Sequence, residues 1–249
     1  MGDNKEVIKI SIWGRTAHFR IYGNQNFCDS YPLPPPSTIL GLLREVLGER
    51  PPEPLILAIK GGFGGIFFDY RTFLGSAVAS DSKKEHWIEK IVYRSVETKP
   101  LYVKVLCKPY YTVYLYSPEH HNFYLTKLNN PEGYVSLGRS EDLAMMKAIS
   151  INAERKVAKK SNKIKIENSY LPEPVYGAAP MFLPTCHLNK DRNLKMEQLY
   201  YIQEAVSYYE GEYWETADKD RFLWLLEYKD TEKGNFPKVL RIGNGKNFS

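Results

Sequence analysis

The sequence predicts an α+β fold with a ferredoxin-like order of elements. Three observations carry this. Val7, Ile8, Ile10 and Ile12 alternate well enough across Glu6–Trp13 for a strand. Ile39, Leu40, Leu43, Val46 and Leu47 recur at helical spacing behind a proline-rich approach. The remaining apolar runs fall in the order strand, long loop, helix, strand, excursion, strand, short helix, strand.

After the first strand, Gly14-Arg15-Thr16-Ala17-His18-Phe19-Arg20 carries two arginines and a histidine, and Asn24–Asn26 is a polar loop. Tyr31-Pro32-Leu33-Pro34-Pro35-Pro36 is then a stiff extended arm, because each proline fixes its own φ and biases the residue before it. Ser37 reads as the N-cap of the helix. Gly41 inside it suggests close approach of another backbone. Gly48 fits the left-handed position past its end, and Pro51-Pro52 prevent continuation. A rigid arm thus delivers a helix start, with its free amides, to one fixed place, and such a start favours anions. The plainer reading is a capped core helix after a proline-rich loop.

Leu55–Lys60 and Ile66–Phe73 read as strands on either side of a break at Gly61-Gly62-Phe63-Gly64-Gly65. That glycine cluster lacks the Gly-Lys-Ser/Thr ending of a phosphate-binding P-loop and reads as room for close backbone approach. Ser80–Lys99 is charged and interleaved with aromatics, and reads as a hairpin-like excursion from the sheet. Pro100–Leu106 and Tyr110–Tyr116 follow as strands, Pro118–Asn122 and Asn129–Gly133 as turns, and Ser140 as the cap of a short helix. Ala148–Ile151 reads as a strand, Arg155–Lys165 as an exposed loop or hairpin tip, and Tyr170–Pro184 as irregular. Glu197–Tyr209 reads as helical and Arg221–Tyr228 as a helix or an apolar strand.

Length and composition set bounds. The 249 residues are expected to form one domain, with 80–108 as the excursion and 170–249 as a C-terminal extension. Hydrophobic residues, at 43%, suffice for a core. No apolar run approaches the roughly 18 residues of a membrane span. The start, Met1–Glu6, lacks the pattern of a signal peptide. Cys28, Cys107 and Cys186 are scattered and form no CxxC pair, so the expected location is the cytoplasm, with no disulfide or zinc framework. A net charge of +5 permits an acidic partner. The 19 tyrosines can stack on bases or fill interfaces.

Ala17-His18-Phe19-Arg20, then Tyr31–Leu43, then Ser136-Leu137-Gly138-Arg139-Ser140-Glu141-Asp142-Leu143, resemble CRISPR-associated protein family five, of the RAMP superfamily. The Leu-Gly-Arg-Ser-Glu-Asp stretch resembles the type I-B and related branches. The likeness covers roughly the first 150 residues. It implies a ferredoxin-like domain with a protruding β-hairpin thumb. It also implies a non-catalytic subunit of the Cascade surveillance complex of antiviral defence, one that caps the 5′ handle of the guide RNA. The implied partners are that RNA, the backbone subunit and the large subunit, with target DNA reached only through the complex. No cofactor is implied. In the type I-C branch the family member is itself the endoribonuclease.

A single-stranded RNA end needs cations for phosphates, free amides, and flat faces for splayed bases. Arg15 and Arg20 flank the exit of the first strand, and Ser37 and Thr38 offer hydroxyls and amides. Lys83, Lys84, Trp87, Tyr93 and Arg94 suit a thumb, and Arg139 sits beside Gly138 at a helix start, which suits phosphate or a partner backbone. The plainer readings are solvated surface arginines, an ordinary charged loop, and an ion pair of Arg139 with Glu141 or Asp142. A metal-free nuclease would need a base, an acid and a cation, for which His18, His120, His121 and Lys127 are the candidates. A metal site at His120 and His121 lacks further ligands at suitable spacing.

Overall fold

The computed structural model of the chain describes residues 4–21, 27–74, 98–159, 164–187, 194–203, 208–229, 231 and 235–240. The first half runs β1 (Asn4–Gly14), β2 (Thr16–Ala17), β3 (Phe27–Cys28), α1 (Pro36–Leu47), β4 (Leu55–Gly62), β5 (Gly65–Leu74), β6 (Thr98–Cys107), β7 (Tyr110–Tyr116), α2 (His121–Asn129) and β8 (Ala144–Ala158). Strands β4, β7, β1 and β8 lie side by side in that order, each antiparallel to its neighbour. With α1 and α2 as the crossovers, this is the ferredoxin-like arrangement.

The alternation in β1 decides which side is the core. Ile8, Ile10 and Ile12 join Tyr111, Val113 and Leu115 of β7 and Ala148 of β8. Ile39 and Leu43 of α1 and Tyr124 and Leu128 of α2 cover them. Tyr124 and Leu128 stand one turn apart, enough to seat a short helix. It begins at His121, where the sequence reads as a turn.

The second half continues the sheet at both edges. β9 (Ile164–Lys165), β10 (Ser169–Leu171), β11 (Ala179–His187), β12 (Leu194–Ile202), β13 (Tyr208–Tyr209), β14 (Gly211–Thr216), β15 (Arg221–Phe222), β16 (Leu226–Tyr228) and β17 (Lys238–Val239) complete the elements. β10, β12 and β11 extend beyond β4, and β14 and β15 beyond β8, while β9 and β13 pair apart. Trp214, Phe222 and Trp224 cover half of the sheet face away from the helices, against Val7, Tyr114 and Ala153. Tyr114 and Phe222 stack with centroids 3.9 Å apart.

Several expectations are corrected here. Where a helix is expected from Glu197, the chain to Ile202 is strand β12: its end is buried on both faces, Leu199 and Tyr201 in one cluster and Ile202 in another, so its apolar residues do not alternate cleanly. Tyr170–Pro184 holds β10 and most of β11 rather than irregular chain, and Arg221–Tyr228 is two short strands. β8 runs on to Ala158, through residues that read as a loop. Its charged side chains pair across to β14, Arg155 with Glu212 and Lys156 with Glu215, contacts a single stretch of sequence cannot reveal. Ser140 caps no helix. It lies in a turn closed by a bridge between Ser136 and Leu143.

The strands on either side of the expected excursion pair with each other. β5 and β6 pair without a break from Gly65–Cys107 to Leu74–Thr98, forming two arms of a hairpin in a second sheet with β2 and β3. Residues 80–97, with Lys83, Lys84, Trp87, Tyr93 and Arg94, lie outside the described residues. Gly61 and Gly62 end β4 rather than breaking it. Gly61 has φ of 138°, and a Cβ there would lie 2.2 Å from the Tyr110 carbonyl oxygen, so the expected close backbone approach is real at this position.

Candidate nucleic-acid interface

The proline arm is strapped into the core, which fixes where α1 starts. Tyr170, fully buried, donates its hydroxyl proton to the Leu33 carbonyl at 2.7 Å, and Tyr31 donates to the Phe182 carbonyl at 2.7 Å. The helix start itself differs from expectation. Pro35 is the N-cap and Pro36 the first helical residue, with no side-chain cap, so Ser37 sits in the first turn rather than before it. Proline at that position carries no amide to satisfy and has its φ preset, which removes the need for a hydroxyl cap. Thr38 and Ile39 direct their amides at the Pro35 carbonyl, leaving Ser37's amide among the helix-start donors. Gly48 ends the helix with φ of 74°, as expected. Gly41 does not meet another backbone among the described residues: none of them stands within 4 Å of a Cβ built on it, and it opens into a cleft.

That cleft has a volume of about 710 Å³ and is lined by His18, Arg20, Ser37, Thr38, Gly138 and Arg139, together with Gly41, Glu45, Arg71 and Glu141. The three stretches singled out in the sequence therefore converge. The Ser136–Leu143 turn is pressed against the strand exit at Gly138, whose φ is 99°; a Cβ there would lie 2.4 Å from the His18 carbonyl oxygen. Asp142, 1% exposed, holds the turn closed. It accepts from Thr16 Oγ1 at 2.7 Å and from Arg139 through a fork, Nε at 2.7 Å and Nη2 at 2.8 Å. Such bidentate pairs are stronger and more directional than single contacts. Arg139 Nη1 is buried without a hydrogen bond, 3.4 Å from Glu141 Oε1.

Arg71 of β5 joins the hairpin to the cleft, donating to Glu141 at 2.7 Å and to Asp69 at 2.6 Å. Glu141 is held below the usual carboxylate range by its own backbone amide and by Arg71 and Arg139. Among the described residues, Arg20 is the cleft arginine with no carboxylate against it. Glu45 likewise has no cation against it. Three arginines against two glutamates leave the lining only mildly positive. Its character comes from oriented donors rather than from a strong field.

His18 is buried, and its Nδ1 lies 2.8 Å from the Lys104 carbonyl. A carbonyl can only accept, so Nδ1 carries the proton and Nε2 keeps its lone pair. Burial, partly offset by that hydrogen bond, lowers its pKa below the ordinary 6.5. The other histidines are elsewhere. His121 is bonded to Ser150 at 3.0 Å on the α2 side, His120 precedes that helix, and Lys127 pairs with Glu132. None of these lines the cleft. Arg15 is exposed and also lies off it. The sequence reading missed Arg71 and Glu45. Arg71 sits on an unremarkable strand and Glu45 on a helix face, and only the packing of hairpin and helix brings them to the cleft. Among the described residues no group of three or more His, Cys, Asp or Glu is placed to hold a metal, and no helix is long and apolar enough to cross a membrane.

Residues 7–176 match the family model described as CRISPR-associated protein (Cas_Cas5). The chain belongs to that family. The match spans the ferredoxin-like strands, the hairpin and every cleft residue named above. No curated protein is significantly similar in sequence. Solved structures of related shape include a chain of a CRISPR RNA-guided surveillance complex, at 14% identity and a TM-score of 0.48 over 86% of this chain and 92% of that one. A CRISPR protein from Archaeoglobus fulgidus matches at 12% identity and 0.45, over 88% and 98%. A functionally uncharacterized protein from Streptococcus mutans matches at 11% identity and 0.41, over 95% and 98%.

Proposed function

We propose that this chain is a non-catalytic subunit of a type I CRISPR surveillance complex, most like the type I-B branch, and that it caps the 5′ handle of the guide RNA. The observation that carries this reading is the convergence of the Ala17–Arg20 exit, the start of α1 and the Leu137–Asp142 turn on one cleft, with no carboxylate among the described residues against Arg20. A phosphate there would meet the Arg20 guanidinium, the hydroxyls of Ser37 and Thr38 and the amide of Ser37. Arg139, committed to Asp142, shapes the wall.

The β5–β6 hairpin acts as the thumb. Phe68, Tyr70 and Tyr102 are exposed on one face of it, with Phe27 against Phe68 and Tyr70 against Tyr102. An exposed apolar patch of this kind suits a protein neighbour, and the backbone or large subunit is the partner it fits.

The test is titration of the full chain with a repeat-derived 5′-handle RNA at several salt concentrations, with the RNA afterwards run on a denaturing gel. Each phosphate contact to a single strand contributes about 0.7 to the slope of log K against log salt. Arg20→Ala should lower that slope by about this amount and weaken binding, and the RNA should remain intact. Unchanged binding by Arg20→Ala would remove the cleft from consideration. Specific cleavage of the RNA would replace the binder by the endoribonuclease.

A further inference from the structure

Among the described residues, the face of the sheet away from the helices is covered only in part. Trp214, Phe222 and Trp224 lie over the half that contains Val7 and Tyr114. At the other end Tyr110, Trp13 and Met145 form one row across β7, β1 and β8, directly opposite one another in register. They are 55%, 39% and 60% exposed. Side chains alternate between faces along a strand, and Ile12 points into the core, so Trp13 points out of the sheet.

Tyr110 is held in place. Its partner across β4 is Gly62, and a Cβ on Gly62 would lie 2.8 Å from the Tyr110 hydroxyl and 3.1 Å from Cζ. The ring therefore rests over the glycine, a position any larger residue would deny it. Gly62 has no unusual φ, so space for the ring is what the glycine supplies.

Cations surround this row. Lys147 sits in the next row of the same face, opposite Ser11. Arg15 and Lys108 meet at the end of the sheet, where the Lys108 amide donates to the Arg15 carbonyl at 2.8 Å. All three are exposed, and no carboxylate among the described residues pairs with them. Further down the face, Lys9 and Lys60 share the single carboxylate of Asp220. Flat aromatic faces on the two central strands, flanked by unpaired cations, are what a sheet needs to stack the bases of a single strand and hold its phosphates.

We infer that this open sheet face is a second RNA-contact surface, on which Trp13 and Tyr110 each stack a base while Arg15, Lys108 and Lys147 meet the phosphates. It rests on the reading of RNA as the ligand but not on the cleft.

The experiment uses the full chain and an unstructured oligouridine of about ten nucleotides carrying 4-thiouridine, which lacks any handle sequence. Irradiation of the unaltered chain should cross-link RNA to the peptides holding Trp13 or Tyr110. Trp13→Ala and Tyr110→Ala should each weaken binding about 5- to 150-fold, and Trp13→Phe and Tyr110→Phe should restore most of it, since a phenyl ring still stacks. Cross-links confined to other peptides, or alanine variants that are folded and bind as tightly as the parent, would overturn the proposal. The mapping on the unaltered chain decides the matter even where an alanine variant fails to fold. Arg20→Ala separates the two surfaces: it should spare oligouridine stacking on the sheet while weakening the handle RNA, and loss of the handle effect alone would count against the cleft and leave the sheet standing.

Discussion

Gly138 lies against the backbone of His18 so closely that a Cβ would stand 2.4 Å from the His18 carbonyl oxygen. The obstacle is backbone, not the tip of a side chain that can swing away, and the φ of 99° excludes ordinary L-residues as well. Gly138→Ala should therefore cost about 1–3 kcal/mol, read as a shift of the urea midpoint, together with weaker handle binding. An unshifted midpoint would mean that the turn is not docked as described.

Asp142 is the anchor of the same turn. Asp142→Asn leaves the Arg139 guanidinium largely buried without its carboxylate. Breaking such a pair typically costs about 3–5 kcal/mol. The lower end is expected here, because Arg139 keeps 17% exposure and Glu141 lies 3.4 Å away. Arg139→Lys should recover little, since an ammonium cannot form the fork. Equal stability of the lysine and parent chains would refute this account.

The pH dependence of stability follows from His18. Its folded pKa lies below the unfolded value of 6.5 because it is buried. Between those two values the unfolded chain binds a proton that the folded chain does not, so stability falls as pH drops below about 6.5. His18→Asn should flatten the stability–pH curve in that window. A curve of the same steepness in the variant would assign the effect to another group.

Tyr170 ties the proline arm down by its bond to the Leu33 carbonyl. Tyr170→Phe leaves that carbonyl without its partner in a fully buried place and should cost about 1–3 kcal/mol. Hydrogen exchange should quicken at the start of α1 before it does in β1. Uniform quickening would show that the hydroxyl supports the whole core instead.

Glu45 faces the cleft without a cation. Glu45→Gln removes a like charge from the path of a phosphate and should tighten handle binding, more so at low salt. By contrast, His120→Ala combined with His121→Ala should leave handle binding unchanged, because neither residue lines the cleft. Weaker binding by Glu45→Gln, or loss of binding in the histidine pair, would place the RNA elsewhere.

Local chemistry was enough to determine the strand at β1, the helix α1 with its glycine end, the β4–β7 strands and the ferredoxin-like order, since alternation, helical spacing and proline each act within a few residues. Of the residues the sequence singled out, Arg20, Ser37, Thr38 and Arg139 share one cleft, while Arg15 lies off it. Only the tertiary structure decided the rest. Pro36 at the first helical position made a hydroxyl cap unnecessary, so Ser37 moved inside the helix. Arg139 became a wall, because Asp142, three residues on, turned inward to meet it and Thr16. β12 and the end of β8 became strands because their partners lie far along the chain: burial on both faces erased the alternation of one, and cross-strand ion pairs gave the other the look of a loop. Whether Trp13 and Tyr110 sit in a core or on an open face is likewise not written in their own neighbourhoods. It depends on how far Trp214, Phe222 and Trp224 reach across the sheet, and they stop short of that row.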